Sequence, residues 1–558
     1  MRTSRPAPAA GPSPPASTSP AERSAARPPG GRPELLHAIV EAPICRPSRT
    51  ERGRAISTDL QPRTSTGLAA GPASRLPVAL LLAAGTGAAW ALGAQPRGWW
   101  PLLPLGVAAL TIALHGRGLR ARLWLGGLAG AVLYGTTLGW LTGFAPAGYV
   151  AIVALEAAML AVAVGLVPTA RSGRWAGGWW ALPAGLVLLD AAQTRFPFDG
   201  FPLPALVHSQ LDGPFVLAAP LGGSLLVTAA AATAGVGLAA VVLTSGRARL
   251  LAVSVAVAVA GVPVAVGAAV ATDAAGTLDV AVVQGGGPRG LRAVFTDPQD
   301  TTDRQFAVAE QITGSPDLVL LPETVISVDG SIAGSAGDAR TAELARRLDA
   351  SVVVGVVENQ GAGFRNAAVL WGPDDTILGR YEKEHRVPFG EYIPGRELLS
   401  RVTDLTALVP RDAIAGEGTA VLESPAGPLG VVISYEVLFA DRVREAVTGG
   451  GRIVLVPTNA ASYVTEDVPA IEVAGARLRA LEYGRTVVQS APTGYSVVVA
   501  PDGRVLAQSG LGDPALLRET VPLRTGLTPY ARTGDLPALA LAVLVLLLPA
   551  LLRRRAAP

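Results

Sequence analysis

The sequence predicts two structures in one chain: an α-helical membrane bundle of eight spans and, inserted before the last span, an α/β domain of layered strands and helices. Three observations predict it. Half of the 558 residues are hydrophobic and only 16% are charged, with a mean hydropathy of +0.40, a balance that points to membrane spans rather than a large soluble core. Apolar runs close to the ~20 residues that cross a bilayer recur between 76 and 276, and once more at 536–552. Between them, 277–525 turns to short apolar runs alternating with polar helical stretches, the pattern of an α/β or layered sandwich domain.

Taken in order, residues 1–75 are rich in Pro, Arg, Ala and Ser without an apolar period, and read as a disordered cytoplasmic tail. Its start lacks the apolar core of an ordinary signal peptide. The section 76–276 is expected to hold seven transmembrane helices, at 76–94, 99–115, 123–144, 149–169, 176–192, 215–243 and 250–271. The eighth is placed at 535–553, around the run LPALALAVLVLLLPALL at 536–552, and 554–558 forms a short tail. Arginines orient the array. Arg117, Arg120 and Arg122, then Arg171 and Arg174, then Arg247 and Arg249, then Arg553, Arg554 and Arg555 fall on one side. The alternate loops carry mainly Arg97 and Arg195. By the positive-inside rule the arginine-rich side is cytoplasmic, which puts both termini inside and 277–525 outside.

Within 277–525 the strand-like runs are LDVAVVQ, DLVLLP, SVVVGVV, NAAVLW, TILGRY, PLGVVIS, RIVLVP and YSVVVA. Helix-like stretches are 302–313, 339–348 and 466–483.

Composition removes several function classes. The one cysteine, Cys45, excludes a disulfide framework and a multi-cysteine metal site. The four histidines (His37, His115, His208, His385) show no H-E-x-x-H spacing, and no metal or diffusible cofactor is implied. A net charge of +3 without a basic–aromatic stripe gives no reason to expect nucleic acid. The 46 basic residues include a single lysine, Lys383. Where charge alone is needed this chain uses arginine, so the lone ammonium marks a position that a planar guanidinium does not serve.

Three chemistry-bearing residues follow strand-like runs, where layered α/β folds keep their sites. Glu323 follows DLVLLP, Lys383 follows TILGRYE and Ser434 follows PLGVVI. A carboxylate, a lysine and a nucleophile form an acyl-transfer set: base, cation for the oxyanion, attacking atom.

LPET at 321–324, YEKEHRVPFGEYIP at 381–394 and ISYEVLF at 433–439 together resemble the apolipoprotein N-acyltransferases, as do TNA at 458–460, RLRALEYGR at 477–485, PDGR at 501–504 and TPYARTGD at 528–535. The resemblance covers about residues 76–555. It implies eight spans around a nitrilase-like, four-layer α-β-β-α domain. It also implies transfer of an acyl chain from a phospholipid to the N-terminal amine of a diacylglyceryl-cysteine lipoprotein, at the outer face of the cytoplasmic membrane. By motif, Glu323 matches the general base, Lys383 the oxyanion-stabilising lysine, and Glu391 a further essential carboxylate. Tyr435 and Glu436 match the pair after the nucleophile. Ser434 stands where the family pattern has cysteine.

That departure has a chemical cost. A thiol titrates near about 8.5 and an alcohol closer to water's ~15.7, at ~1.36 kcal/mol per unit. Full ionisation of Ser434 by a lone carboxylate is therefore several kcal/mol harder. His385 lies inside the lysine motif and gives no sign of a replacement base. Two readings follow: a serine-dependent N-acyltransferase, or a catalytically impaired paralogue that binds lipoproteins or lipid without turnover. A hydrolase of small amides fits an eight-span protein least. Arg477 and Arg485 read as structural ion pairs, and Glu156 as a bundle residue or an intramembrane site. Asp199 and His208 lie in the external loop between the fifth and sixth spans.

Overall fold

The structure is a computed structural model that describes residues 76–167, 178–290, 293, 295–401 and 403–555. The expectations for the tail 1–75, for Arg171 and Arg174, and for 556–558 lie outside the described residues.

Helices occupy the first seven apolar runs: α1 (Leu76–Gly93), α2 (Leu102–Leu114), α3 (Leu119–Thr137), α4 (Pro146–Leu166), α5 (Leu182–Gln193), α6 (Ala219–Leu243) and α7 (Gly246–Gly267). Among the described residues four helical segments are long and apolar enough to cross a membrane: Leu76–Gly93, Pro146–Leu166, Pro214–Leu243 and Gly246–Gly267. The helices differ in length and depart from the expected bounds. The third begins at Leu119, so Arg120 and Arg122 enter the helix itself, and Arg122 is buried with its guanidinium donating to the Val164 carbonyl at 2.8 Å. The fifth is 12 residues, opening with Pro183 in its first turn. At 1.5 Å per residue that is about 18 Å, short of the ~30 Å hydrocarbon core. Leu103, Leu110, Leu125, Leu133, Leu160 and Leu186 form the bundle's main core.

The chain then builds two sheets. In the first, β1 (Asp273–Gln284), β2 (Leu318–Leu320), β4 (Ser351–Gln360), β5 (Gly363–Trp371), β6 (Ile377–Glu382) and β14 (Ala515–Thr525) run in the order β14-β1-β2-β4-β5-β6. Short β3 (Ile326–Asp329) adds to β4 and β7 (Asp412–Ala413) to β5. The second sheet has the order β13-β12-β11-β10-β9-β8, from β8 (Val421–Ser424), β9 (Gly427–Val431), β10 (Val454–Pro457), β11 (Val487–Ser490), β12 (Val497–Val499) and β13 (Val505–Gln508).

Both faces of each central strand are buried, which is why these runs read as continuously apolar rather than alternating. Along β1, Val280 and Val282 point into the core between the sheets, while Ala281 and Val283 point to the opposite face. There they meet Phe306 and Ala309 of α8 (Pro298–Ala309) and share a core with Leu344 and Leu348 of α9 (Ala336–Leu348). The second sheet is covered likewise by α10 (Ala440–Thr448) and α11 (Asp467–Tyr483), whose Val443, Val447, Ala476 and Tyr483 pack on Val454, Val456 and Val487. The result is helix, sheet, sheet, helix. β3, β7, β8, β11, β13, β14 and α10 have no counterpart among the runs expected from the sequence. Of these, β11 is central, a four-residue run too short to separate from the helix before it. A last helix, α12 (Leu536–Arg555), returns to the bundle against α5 and α6 through Ala542.

Candidate active site

Strand direction gathers the three candidates. In the first sheet β2 and β4 are parallel, β5 is antiparallel to β4, and β6 antiparallel to β5, so β6 runs with β2. Glu323 and Lys383 thus leave the same edge. In the second sheet β9, β10 and β11 are parallel, and Ser434 and Thr458 lie beyond the C-terminal ends of β9 and β10.

Glu323 is presented by a break in its strand. Leu320 pairs with Val353 and Ile326 with Val356, so five residues, 321–325, face only two, 354–355. The excess bulges outward, with Thr324 at φ 60°. The Gly355 N–H donates to the Pro322 carbonyl at 3.0 Å, and the Val325 N–H to the Gly355 carbonyl at 2.9 Å. A Cβ on Gly355 would lie 2.4 Å from the Glu323 Cα, so the bulge requires glycine beneath it.

Lys383 is buried between two carboxylates. Its Nζ donates to Glu323 Oε1 at 2.9 Å and to Glu391 Oε1 at 3.0 Å. Asn366 Nδ2 donates to the same two oxygens at 2.6 and 3.0 Å, and Glu391 Oε2 takes the Val387 N–H at 2.7 Å. Burial by itself would push the Lys383 ammonium down, but Glu323 and Glu391 more than offset it, so lysine is held above its ordinary range and stays charged. Glu323 is raised by burial, with Lys383 pulling it back and the Glu391 charge adding to the rise.

Ser434 occupies a tight turn. It has φ 53°, an uncommon value for a residue other than glycine, and opens a short 3₁₀ turn, Ser434–Leu438. Glu436 holds that turn. Its carboxylate accepts from the Ile433 N–H at 2.7 Å, the Glu384 N–H at 2.8 Å, the His385 N–H at 3.0 Å and the Tyr381 hydroxyl at 2.9 Å. One buried side chain therefore ties the serine turn to the loop that carries Lys383. Tyr435 points the other way, its hydroxyl donating to the Gly200 carbonyl of the α5–α6 loop at 3.0 Å.

The Ser434 hydroxyl donates to Glu472 Oε1 at 3.3 Å, and the Thr458 hydroxyl donates to the same oxygen at 2.8 Å. Glu472 lies on α11 and is buried. Burial raises its carboxyl to about 7, against the hydrogen bond from Thr458; the Glu323 charge raises it further and Lys383 lowers it. Thr458 joins the halves of the site, since its carbonyl also accepts the Glu323 N–H at 3.4 Å.

Glu323, Lys383 and Glu391 thus meet directly, and Ser434 reaches them through Glu436 on one side and Thr458 with Glu472 on the other. Asn366, Gly355 and Glu472 are absent from the sequence reading. Asn366 opens NAAVLW, and only the β5–β6 register, Ala367 against Glu382, puts it beside Lys383. Glu472 did leave a signal: it is a lone acid in the apolar stretch VPAIEVAGA. Arg477 and Arg485 take structural roles, Arg477 on Asp212 at 2.7 Å and Arg485 on the carbonyls of Gly451 and Gly526 at 2.9 and 2.7 Å. Glu156 is buried in the bundle and accepts from Gln193 at 2.7 Å. His208 is buried in the α5–α6 loop, where its carbonyl accepts from Gln95 Nε2 at 2.8 Å. In the same loop Asp199 takes a left-handed conformation, φ 67°.

Comparison with known proteins agrees with this architecture. Residues 86–237 match the apolipoprotein N-acyltransferase N-terminal domain family, and residues 279–525 the carbon–nitrogen hydrolase family. The latter match, with the observed double-sheet sandwich, makes the domain nitrilase-like. The chain is similar to the apolipoprotein N-acyltransferase of Azotobacter vinelandii, 30% identical over 509 residues that cover 85% of this chain and 95% of that protein. It is similar to that of Photobacterium profundum, 27% identical with 85% and 95% covered. To that of Mycolicibacterium smegmatis it is 30% identical, with 63% of this chain and 66% of that protein covered. Among solved structures, an amidase from Nesterenkonia aligns at 24% identity over 48% of this chain and 96% of its own, with a TM-score of 0.34.

Proposed function

The chain belongs to the apolipoprotein N-acyltransferase family, and we propose that it N-acylates lipoproteins through Ser434, with Glu323 and Lys383 completing the reacting centre. The observation that carries this reading is the buried Lys383, held between Glu323 and Glu391 and bound through Glu436 to the strained turn of Ser434. Burying three charged groups together is costly, and acyl transfer gives that arrangement a use.

The cycle has two halves. Ser434 Oγ attacks the ester carbonyl of a phospholipid, forming the Oγ–C bond while the carbonyl electrons move to oxygen. Lys383 stabilises that oxyanion. Collapse breaks the bond to the glycerol oxygen, which takes up the proton that Oγ gave up on attack and leaves as lysophospholipid. The α-amine of a diacylglyceryl-cysteine then attacks the Ser434 ester. Its proton passes to Glu323, the C–Oγ bond breaks, and the proton returns to Oγ. The products are an amide on the lipoprotein and free Ser434.

Both substrates are lipids, which accounts for a hydrolase-like domain anchored in a membrane. We assign eight spans to α1–α7 and α12, the short α5 together with the helical turn Trp179–Ala181 before it, with 277–525 as the catalytic domain on the extracytoplasmic face of the cytoplasmic membrane. Contacts support that orientation. The α3–α4 loop meets the domain through Trp140 and Phe144, whose rings lie 5.2 and 5.6 Å from Tyr463. The α5–α6 loop meets it through Gly200 and Asp212. These are the arginine-poor loops; Arg117 lies in the α2–α3 loop, and Arg120, Arg122, Arg247 and Arg249 in the first turns of α3 and α7, at the opposite ends of the helices.

Mass spectrometry of a lipoprotein N-terminus, from cells with and without this gene, tests the activity. Disappearance of the N-acyl chain on deletion is expected, and an unchanged N-terminus refutes it. Reporter fusions near residue 300 and at the C-terminus test the orientation, with opposite sides refuted if residue 300 reports the cytoplasm.

A further inference from the structure

An oxygen nucleophile needs a base in contact with it, and the geometry here supplies one that the family's motifs do not mark. Ser434 Oγ faces Glu472 Oε1 at 3.3 Å, whereas Glu323 Oε1 already takes hydrogen bonds from Lys383 and Asn366. The Thr458 hydroxyl fixes Glu472 Oε1 at 2.8 Å. The second oxygen, Glu472 Oε2, is buried and has no hydrogen-bond partner among the described residues. A carboxylate with one oxygen on a nucleophile and the other unpaired is placed to take up a proton.

Resting on the acyl-transfer reading above, we propose that Glu472 is a further catalytic residue, the proton acceptor for Ser434 in the first half of the cycle. As Oγ attacks the phospholipid carbonyl, the Oγ–H proton moves to Glu472. On collapse the same proton passes to the departing glycerol oxygen, and Glu472 is again a carboxylate. Glu323 keeps its part toward the amine in the second half. Glu472 thereby compensates for the absent thiol: a cysteine ionises readily and needs little from such a base, while a serine depends on it.

The surroundings suit this role. Glu472 is raised by burial to about 7, so near neutral pH it both loses and holds a proton, the poise that general-base catalysis favours. The charged and titratable groups that face it are Glu323 beyond β2, Lys383 beyond β6 and Tyr463 in the loop after β10. Because Glu472 must be ionised to accept, acylation should rise with pH through about 7.

The test uses the full chain in detergent micelles with phosphatidylethanolamine bearing a labelled acyl chain and no lipoprotein acceptor. Lysophospholipid release and ester on the Ser434 peptide report the first half alone. Glu472→Gln should slow this step by about 10²–10⁴-fold, the usual weight of general-base catalysis. In a Ser434→Cys background the same change should cost less than about 10-fold, because a thiol's lower pKa makes it independent of the base. Wild-type rates should climb through about pH 7, and the Ser434→Cys/Glu472→Gln protein should lack that inflection. An undiminished rate in Glu472→Gln overturns the proposal. So does an equal loss in the serine and cysteine backgrounds, which would make Glu472 merely structural. Absence of release from both the wild type and Ser434→Cys would instead sink the acyl-transfer reading, and this proposal with it.

Discussion

On one side of the site four hydrogen bonds of 2.6–3.0 Å run from Lys383 and Asn366 to Glu323 and Glu391. On the other side Ser434 meets Glu472 at 3.3 Å, and a carboxylate oxygen is left unpaired among the described residues. The tight half surrounds a charge that stays put, and such groups stabilise a developing oxyanion best when they need not reorganise. In the proposed cycle the loose half surrounds a proton that must leave, and catalytic hydrogen bonds commonly shorten only when substrate arrives. On the proposed reading the difference separates an electrostatic fixture from a nucleophile, and substitutions in the two halves should fail in different ways.

The largest effect is expected on the tight half. Lys383→Ala removes the cation from between Glu323 and Glu391 and leaves buried carboxylates facing each other. Breaking a buried pair from one side costs about 3–5 kcal/mol, so both acyl transfer and the melting temperature in detergent should fall. Lys383→Arg keeps the charge but replaces a compact ammonium with a planar fork, and transfer should again be lost. An arginine variant with most of its activity would show that charge alone suffices and that the site assignment is wrong.

Ser434→Ala should abolish transfer as completely while leaving the fold nearly intact. Its one side-chain hydrogen bond is long, and a typical bond is worth ~0.5–1.5 kcal/mol. Ser434→Cys should restore or raise transfer, a thiolate being far easier to form. A melt lowered as far as that of Lys383→Ala would erase the contrast between the halves. A transfer assay unmoved by alanine would leave a binding protein.

Glu436→Gln probes the link between the halves. The carboxylate collects three backbone N–H groups and the Tyr381 hydroxyl. An amide has one accepting oxygen and turns two donors toward the rest. Leaving buried donors unsatisfied costs about 1–3 kcal/mol, and a displaced nucleophile about 10²-fold in rate. Stability and rate should fall together, and a wild-type rate in this variant would mean that the Ser434 turn holds itself.

The two halves were also unequally legible in the sequence. Lys383 declared itself by being the only lysine, and Glu323 and Ser434 by following apolar runs. What brings them together was not legible, because it depends on strand order. Asn366 becomes a partner of Lys383 only through the antiparallel register of β5 and β6. Glu472 contacts Ser434 across 38 positions of sequence, from a helix whose apolar run marks burial but not direction. The bundle shows the converse. Its helices were readable from hydropathy, yet their bounds were not: α3 starts at Leu119 with Arg120 and Arg122 inside it, and α5 runs only 12 residues.

The smallest effect is expected at Tyr435, the outward tether of the loose half. Its hydroxyl donates to the Gly200 carbonyl at 3.0 Å, and its ring packs edge-on against Phe439 at 5.1 Å. Burial raises the hydroxyl well above its usual value, with the neighbouring tyrosines and Glu156 adding to the rise, so it stays a neutral donor across the working pH range. Tyr435→Phe keeps the ring and its packing and removes one hydrogen bond, worth ~0.5–1.5 kcal/mol. The melt should drop slightly and the rate by less than about 10-fold, with no change in the shape of the pH profile. That outcome would mean the serine turn is positioned by Glu436 from within the domain, and that the bundle contact only steadies it. If Tyr435→Phe were as inactive as Ser434→Ala, the phenol would have to act on substrate or on Oγ itself. The loose half would then contain a second fixed group, and the division drawn between a rigid electrostatic side and a mobile nucleophilic side would fail.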